Sequence, residues 1–74
     1  MEHGRIIKDP SIMMGKPVVR GTRITVEHIL RRLGAGDTME QLAADHPGLE
    51  IADILAAQRF AADFIAGEEV IAAE

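Results

Sequence analysis

The stretch TVEHILRRLG, residues 25–34, contains the clearest folding signal in this sequence. Thr25 is a favoured helix N-cap, because its hydroxyl can accept a hydrogen bond from a free N–H of the first turn. The apolar residues after it recur at the spacing i, i+3, i+4 and i+7, which is one face of a helix; they are Val26, Ile29, Leu30 and Leu33. Gly34 and Gly36 then favour an end. The stretch predicts an amphipathic first helix.

A second helix is predicted directly downstream. Asp37 is placed as its N-cap, and Glu40 stands three residues later, as in a capping box. Met39, Leu42 and Ala43 form its apolar stripe. We expect this helix to end near residues 45–48, because a residue that precedes a proline resists the helical conformation.

A third helix is predicted from about residue 50 to residue 66, with Gly67 ending it. At about 100° per residue, its apolar residues fall on two faces. The face assigned to the core contains Ile51, Ile54, Leu55, Ala61, Ala62 and Ile65, with Gln58 as a polar residue among them. The second face contains Phe60 and Phe64 beside Ala57. We predict that this second face binds a partner; the alternative is that the N-terminal segment folds over the phenylalanines.

Upstream, residues 1–24 are interrupted by glycines and prolines, which excludes a long helix. Two short extended pieces remain, residues 5–8 and 17–20, which predict a small β-ribbon. The expected fold class is therefore mainly α: a short N-terminal β-ribbon followed by a three-helix bundle of the helix-turn-helix type. The whole chain, 1–74, is read as one domain, with the ribbon in 1–24, the helical unit in 25–66 and a tail in 67–74.

Length and composition restrict the class of protein. A chain of 74 residues buries only about 60% of its unfolded surface, so its own core is marginal. It contains no cysteine, so association with another chain is one way to gain stability. The first ten residues carry charge and proline where a signal peptide would be apolar, and no apolar run is long enough to cross a bilayer. We expect a cytoplasmic protein.

Charge is unevenly distributed around a net of −4. Residues 5–32 hold seven of the eight basic residues, whereas residues 37–74 hold one basic residue and nine acids. This asymmetry favours two surfaces for two partners, the alternative being a solubilising surface without a specific role. The acidic tail contains Glu68 and Glu69 beside Val70 and Ile71, and it is interpreted as a frayed end or as an arm ordered by a partner.

The sequence offers little for catalysis. His3, His28 and His46 have no metal-ligand spacing, and Ser11, the only serine, has no plausible base. We therefore predict no metal, no cofactor and no enzymatic activity.

The run GKPVVRGTRI, residues 15–24, is the most distinctive part of the chain. Its Arg20 and Arg23 flank a glycine turn and can grip phosphates or carboxylates, or acids of the same domain. The third helix would be the recognition helix of a helix-turn-helix unit, but it begins with acidic residues that phosphate repels. If DNA is bound, the predicted phosphate contacts are Arg20, Arg23, Arg31 and Arg32, contributed by a dimer.

The chain resembles the prokaryotic family named domain of unknown function 433. The resemblance is carried by Ile6-Ile7, Asp9-Pro10, Ile12, Gly15-Lys16-Pro17-Val18, Arg20-Gly21-Thr22-Arg23-Ile24 and Val26, and by Ile29-Leu30, Leu33, Gly36, Leu42, Asp45, Pro47, Leu49, Asp53-Ile54 and Ala61. It implies a homeodomain-like, winged-helix-like fold. It also implies an antitoxin encoded beside a PIN-like nuclease toxin. The chain departs from the family pattern at Glu50, where Ser or Thr is usual, and at Ala52, often acidic; Phe64 has no counterpart.

Three functions follow as hypotheses. The first is an antitoxin that binds and neutralises the nuclease and represses its own operon; Phe60, Phe64, Ala57, Glu68, Glu69, Val70 and Ile71 are its predicted contact residues. The second is a stand-alone DNA-binding repressor, against which the net charge weighs. The third is a homodimeric scaffold, in which Phe60→Asp would break the dimer.

Overall fold

A computed structural model describes residues 4–72, with side chains described for residues 4–67. In this part of the chain the strands are β1 (Ile6–Ile7) and β2 (Val18–Val19), and the α-helices are α1 (Val26–Gly34), α2 (Met39–Asp45) and α3 (Ile51–Ala72). The predicted fold class, mainly α with a short N-terminal ribbon, is confirmed.

The ribbon is antiparallel, with Ile6 opposite Val19 and Ile7 opposite Val18. An isolated bridge between Val18 and Thr25 joins it to the start of α1. Two strands of this length are marginal by themselves. They persist because Ile6, Val18 and Val19 are buried together with the apolar residues of the helices.

The first helix forms as predicted. The Thr25 hydroxyl accepts a hydrogen bond of 2.9 Å from the backbone N–H of His28. Beyond the helix, Gly36 has a φ of +107°, which an L side chain rarely adopts. That conformation lets the N–H of Asp37 return to the carbonyl oxygen of Arg32 at 3.1 Å, so the end of the helix keeps its backbone bonds.

The second helix begins at a different cap from the predicted one. Thr38, and not Asp37, is the N-cap: its hydroxyl accepts from the N–H of Gln41 at 3.1 Å. The Gln41 side chain accepts in return from the N–H of Thr38 at 2.9 Å. Asp37 instead pairs with Arg32, which leaves the threonine one residue later to close the capping box.

The third helix is longer than predicted, because it continues through Gly67 to Ala72. A glycine inside a helix costs about 1 kcal/mol and does not by itself end it. At the other end, the Asp53 carboxylate accepts a hydrogen bond of 2.9 Å from the N–H of Glu50. This bond satisfies a free N–H at the start of the helix, where Glu50 is a poor cap.

The prediction of which face of α3 is buried is partly wrong. Ile54 is buried as predicted, but Ala57 is 0% exposed within the chain's own core, and Phe60 packs against it. Leu55 and Ile65, predicted to be core residues, are 41% and 57% exposed. The physical reason is that Ala56 and Ala57 are small enough to let other elements pack closely against α3, so the larger side chains of the outer face remain in solvent.

Candidate interaction surface

Phe64 lies on the same face of α3 as the buried residues, but beyond the end of the core. Asp53, Ala57, Phe60 and Phe64 follow one another at helical spacings of four, three and four residues, so they share a face. Asp53 and Ala57 are buried, Phe60 is half-buried and Phe64 is 61% exposed. The rest of the described chain covers this face up to Phe60 and leaves most of Phe64 in solvent. We call the exposed Phe64 end of this face the Phe64 surface.

A second exposed strip runs along the other side of the same helix. Leu55, Gln58, Ala62 and Ile65 are all exposed, and they recur at spacings of three, four and three residues. We call these residues the outer stripe of α3. The stripe explains the position of Gln58, which sequence reasoning had placed among core residues: it faces solvent.

The backbone of the other predicted contact residues, 68–71, is part of α3, since the helix runs to Ala72. The side chains of Glu68, Glu69, Val70 and Ile71 lie outside the described residues, so their role remains a prediction.

The two arginines of α1 are engaged by acids of the same chain. Arg32 pairs with Asp37 and, at 2.7 Å, with Asp45, and these hydrogen bonds raise the pKa of the Arg32 guanidinium. Arg31 donates twice to the Glu27 carboxylate, at 3.1 and 3.2 Å. Arg32 therefore ties α1 to α2, and its predicted contact with phosphate remains a prediction.

The turn after β2 presents the other two arginines. The hydroxyl of Thr22 donates to the carbonyl of Val19 at 2.8 Å and accepts from the N–H of Ile24 at 3.0 Å, which fixes the turn. Arg20 and Arg23 are exposed on it. The Nε of Arg20 donates to the carbonyl of Gly4 at 2.8 Å. Among the described side chains, Arg23 has no acid or acceptor within bonding distance. Of the predicted phosphate contacts, Arg23 is the freest.

An ion-pair cluster that sequence reasoning missed joins β1 to the start of α3. The Arg5 guanidinium donates to Asp53 at 2.8 Å and to Glu50 at 3.3 Å, and these bonds, Asp53 first, raise the pKa of Arg5. The partners are separated by more than forty positions in sequence, so no local pattern links them. Asp53 is 6% exposed, and a buried carboxylate needs such a partner.

Two of the histidines form a ring contact. His28 of α1 and His46 after α2 meet edge to face, with centroids 5.3 Å apart at 85°. The Nε2 of His46 is buried, and no hydrogen-bond partner for it is present in the described part of the chain. Among the described residues, no three histidine or carboxylate side chains gather as metal ligands would. Nor is any helix in that part of the chain long and apolar enough to span a membrane.

These features define a small helical module with an N-terminal β-ribbon and a largely apolar helix that extends beyond its core. The chain matches the family described as "Protein of unknown function (DUF433)" over residues 6–61, and it belongs to that family. It is similar to the crystal structure of a DUF433 member protein from Anabaena variabilis ATCC 29413. The two share 26% sequence identity with a TM-score of 0.79, over 95% of this chain and 69% of the other. No curated protein matches the sequence.

Proposed function

We propose that this chain is a non-enzymatic, antitoxin-like protein that binds and neutralises a PIN-like nuclease encoded beside it, in the cytoplasm. The observation that carries the proposal is the Phe64 surface, where an aromatic side chain on the core-side face of α3 is 61% exposed. The family resemblance supplies the kind of partner.

An exposed phenylalanine at the end of a buried stripe is suited to bind a second protein. Aromatic residues are enriched at the centres of interfaces, where their burial contributes a large share of the binding free energy. A partner that packs on the Phe64 surface would extend the core past Phe60. It would also remove apolar area from water, which is favourable by roughly 25 cal/mol of free energy per Å².

Charge favours the same partner. Residues 37–74 hold nine acids against one basic residue, so the half of the chain that contains α3 is strongly acidic. A nuclease that binds RNA has a basic cleft, and opposite surface charges speed association and improve specificity. Apolar contact at Phe64 together with acidic surroundings fits a nuclease better than it fits a nucleic acid.

The test is co-expression with the product of the neighbouring gene, with a tag on only one of the two chains. We expect stoichiometric co-purification, and growth arrest by the neighbour that this chain relieves. Phe64→Asp should abolish both effects, because it places a charge where an apolar contact is needed. Ala44→Asp is the matched control, since Ala44 is exposed on α2 and its replacement adds the same charge elsewhere. A toxin that is neutralised equally by both variants would refute the Phe64 surface, and a neighbour that is neither toxic nor bound would refute the antitoxin role.

Operator binding is the second candidate, and the exposed turn with Arg20 and Arg23 is the observation that favours it. Arg23→Ala should weaken binding to a DNA fragment from the upstream region and lower its salt dependence. Arg32→Ala should instead lower the stability of the fold, because Arg32 forms ion pairs with Asp37 and Asp45. Binding that is unchanged in Arg23→Ala would exclude the turn as the contact.

A further inference from the structure

The outer stripe of α3 has the residue spacing of a helix-pairing seam. Leu55, Gln58, Ala62 and Ile65 alternate at three and four residues, which is the a/d repeat of two helices that pack along their length. All four are exposed, and Leu55 and Ile65 are 41% and 57% accessible. Ala57 and Phe60 lie roughly 150° away around the helix, so the core and the stripe do not compete for the same area.

We propose that two copies of this chain pair antiparallel through the outer stripes of their α3 helices. The stripe has a large apolar residue at each end, and between them a long polar residue and a small one. Antiparallel pairing places Leu55 against the partner's Ile65 and Gln58 against the partner's Ala62. Each bulky residue then meets an apolar side chain, and the long amide lies over the smallest residue. A two-fold axis requires this kind of self-complementary surface.

Parallel pairing of the same stripes is less favourable. It would set Ala62 opposite the partner's Ala62, which leaves a gap, and Gln58 opposite the partner's Gln58. It would also put the flank that carries Arg59 and Asp63 on opposite sides of the seam in the two copies, so that these charges could not pair across it.

The charges beside the stripe fit the antiparallel arrangement. Arg59 and Asp63 are both exposed on the same flank of the helix, one turn apart. In the antiparallel pair, Arg59 lies about two residues, roughly 3 Å along the axis, from the partner's Asp63. The two copies of Arg59 approach each other at the centre with a carboxylate on either outer side, so the cluster has no net charge.

This interface is separate from the Phe64 surface and does not depend on the proposed antitoxin role. A dimer built on the outer stripe leaves both copies of Phe64 free for another protein. Failure of nuclease binding would therefore not contradict the dimer, and a monomeric chain would not contradict the antitoxin role.

Two measurements test the proposal. Light scattering at about 0.5 mM, well above the micromolar dissociation constants of small interfaces, should give twice the 8.0 kDa of one chain. Ile65→Lys should restore the monomer mass without loss of helical circular dichroism, because Ile65 is outside the core. A monomer mass for the unaltered chain at that concentration would overturn the proposal.

Cysteine cross-linking tests the direction, since the chain has no cysteine of its own. Gln58→Cys and Ala62→Cys should each resist air oxidation to a dimer when alone, and should form a disulfide-linked dimer when mixed in equal amounts. Ala44→Cys, an exposed cysteine on α2, should link with neither. Cross-linking of each variant with itself would mean parallel pairing and would overturn the arrangement, as would a mixture that does not link beyond the Ala44→Cys level.

Discussion

The guanidinium of Arg5 lies 2.8 Å from the carboxylate of Asp53, and this pair fixes the N-terminal ribbon to the start of α3. The second oxygen of the same carboxylate accepts a hydrogen bond of 2.9 Å from the backbone N–H of Glu50. One nearly buried side chain therefore makes an ion pair across 48 sequence positions and also caps a helix. Loss of Asp53 should affect both the ribbon and the helix, whereas loss of Arg5 removes the ribbon contact and leaves a nearly buried carboxylate without its charged partner.

We predict that Asp53→Ala lowers the free energy of unfolding by about 1–3 kcal/mol, and that Arg5→Ala also lowers it, because it leaves a nearly buried carboxylate without its charged partner. The measurement is urea denaturation followed by circular dichroism. Arg31→Ala is the control, because its pair with Glu27 is exposed and should contribute little to the free energy of unfolding. A loss for Asp53→Ala no larger than the loss for Arg31→Ala would contradict the proposed role of this carboxylate.

Met14→Gly should stabilise the protein. Met13 and Met14 have φ values of +48° and +56°, and Met14 is 89% exposed, so its side chain contributes little packing. Left-handed backbone costs a residue with a side chain roughly 1–2 kcal/mol, and glycine avoids this cost. Part of the gain is offset, because glycine also has more conformational entropy in the unfolded chain. We expect a net gain of about 0.5–1 kcal/mol in thermal or urea unfolding.

Gly21→Ala is the complementary substitution for that prediction. Gly21 has a φ of +80° with open space around it, so the cost of a methyl group there is backbone strain alone. A loss of about 1 kcal/mol is expected. A stabilised Gly21→Ala variant, or a destabilised Met14→Gly variant, would contradict the assignment of strain to these turns.

Ala57→Leu should destabilise the fold by about 1–3 kcal/mol, because Ala57 is 0% exposed and the larger side chain has no space. Ala44→Leu is the matched control on the exposed side of α2 and should change the unfolding free energy by less than about 0.5 kcal/mol. The unfolding midpoints of the two variants, each compared with that of the unaltered chain, test this prediction. If Ala57→Leu were neutral, Ala57 would belong to an outer surface after all.

Acid should weaken the contacts of Glu27. Hydrogen bonds from Lys16 and then Arg31 lower the pKa of the Glu27 carboxyl below its ordinary value. A lowered pKa in the folded state stabilises the protein above the unfolded pKa of glutamate, about 4.3, and this contribution disappears as the pH falls through the folded value. The difference in urea midpoint between the unaltered chain and Glu27→Gln should therefore shrink from pH 7 to pH 3. A difference that is constant with pH would contradict the role of the charge.

Local signals predicted the helices well, and sequence alone failed where the decision was not local. Thr25 forms its cap as expected, because the cap and the N–H that donates to it are three residues apart. The sequence predicts Asp37 as the cap of α2, but Asp37 pairs with Arg32 in the structure, and Thr38 is the cap. Gly67 is favourable to a helix end by propensity, yet α3 continues through it.

The sequence by itself determined the number and order of the helices, the short ribbon before them and the family, because caps, helical periodicity and the GKPVVRGTRI run are local patterns. Only the tertiary structure decided which face of α3 is buried. Both faces are apolar, so periodicity has no preference, and the choice depends on what packs there. Alanines at 56 and 57 admit close neighbours, and Asp53 needs the distant Arg5 as its partner. That choice leaves Phe64 beyond the core and the outer stripe in solvent.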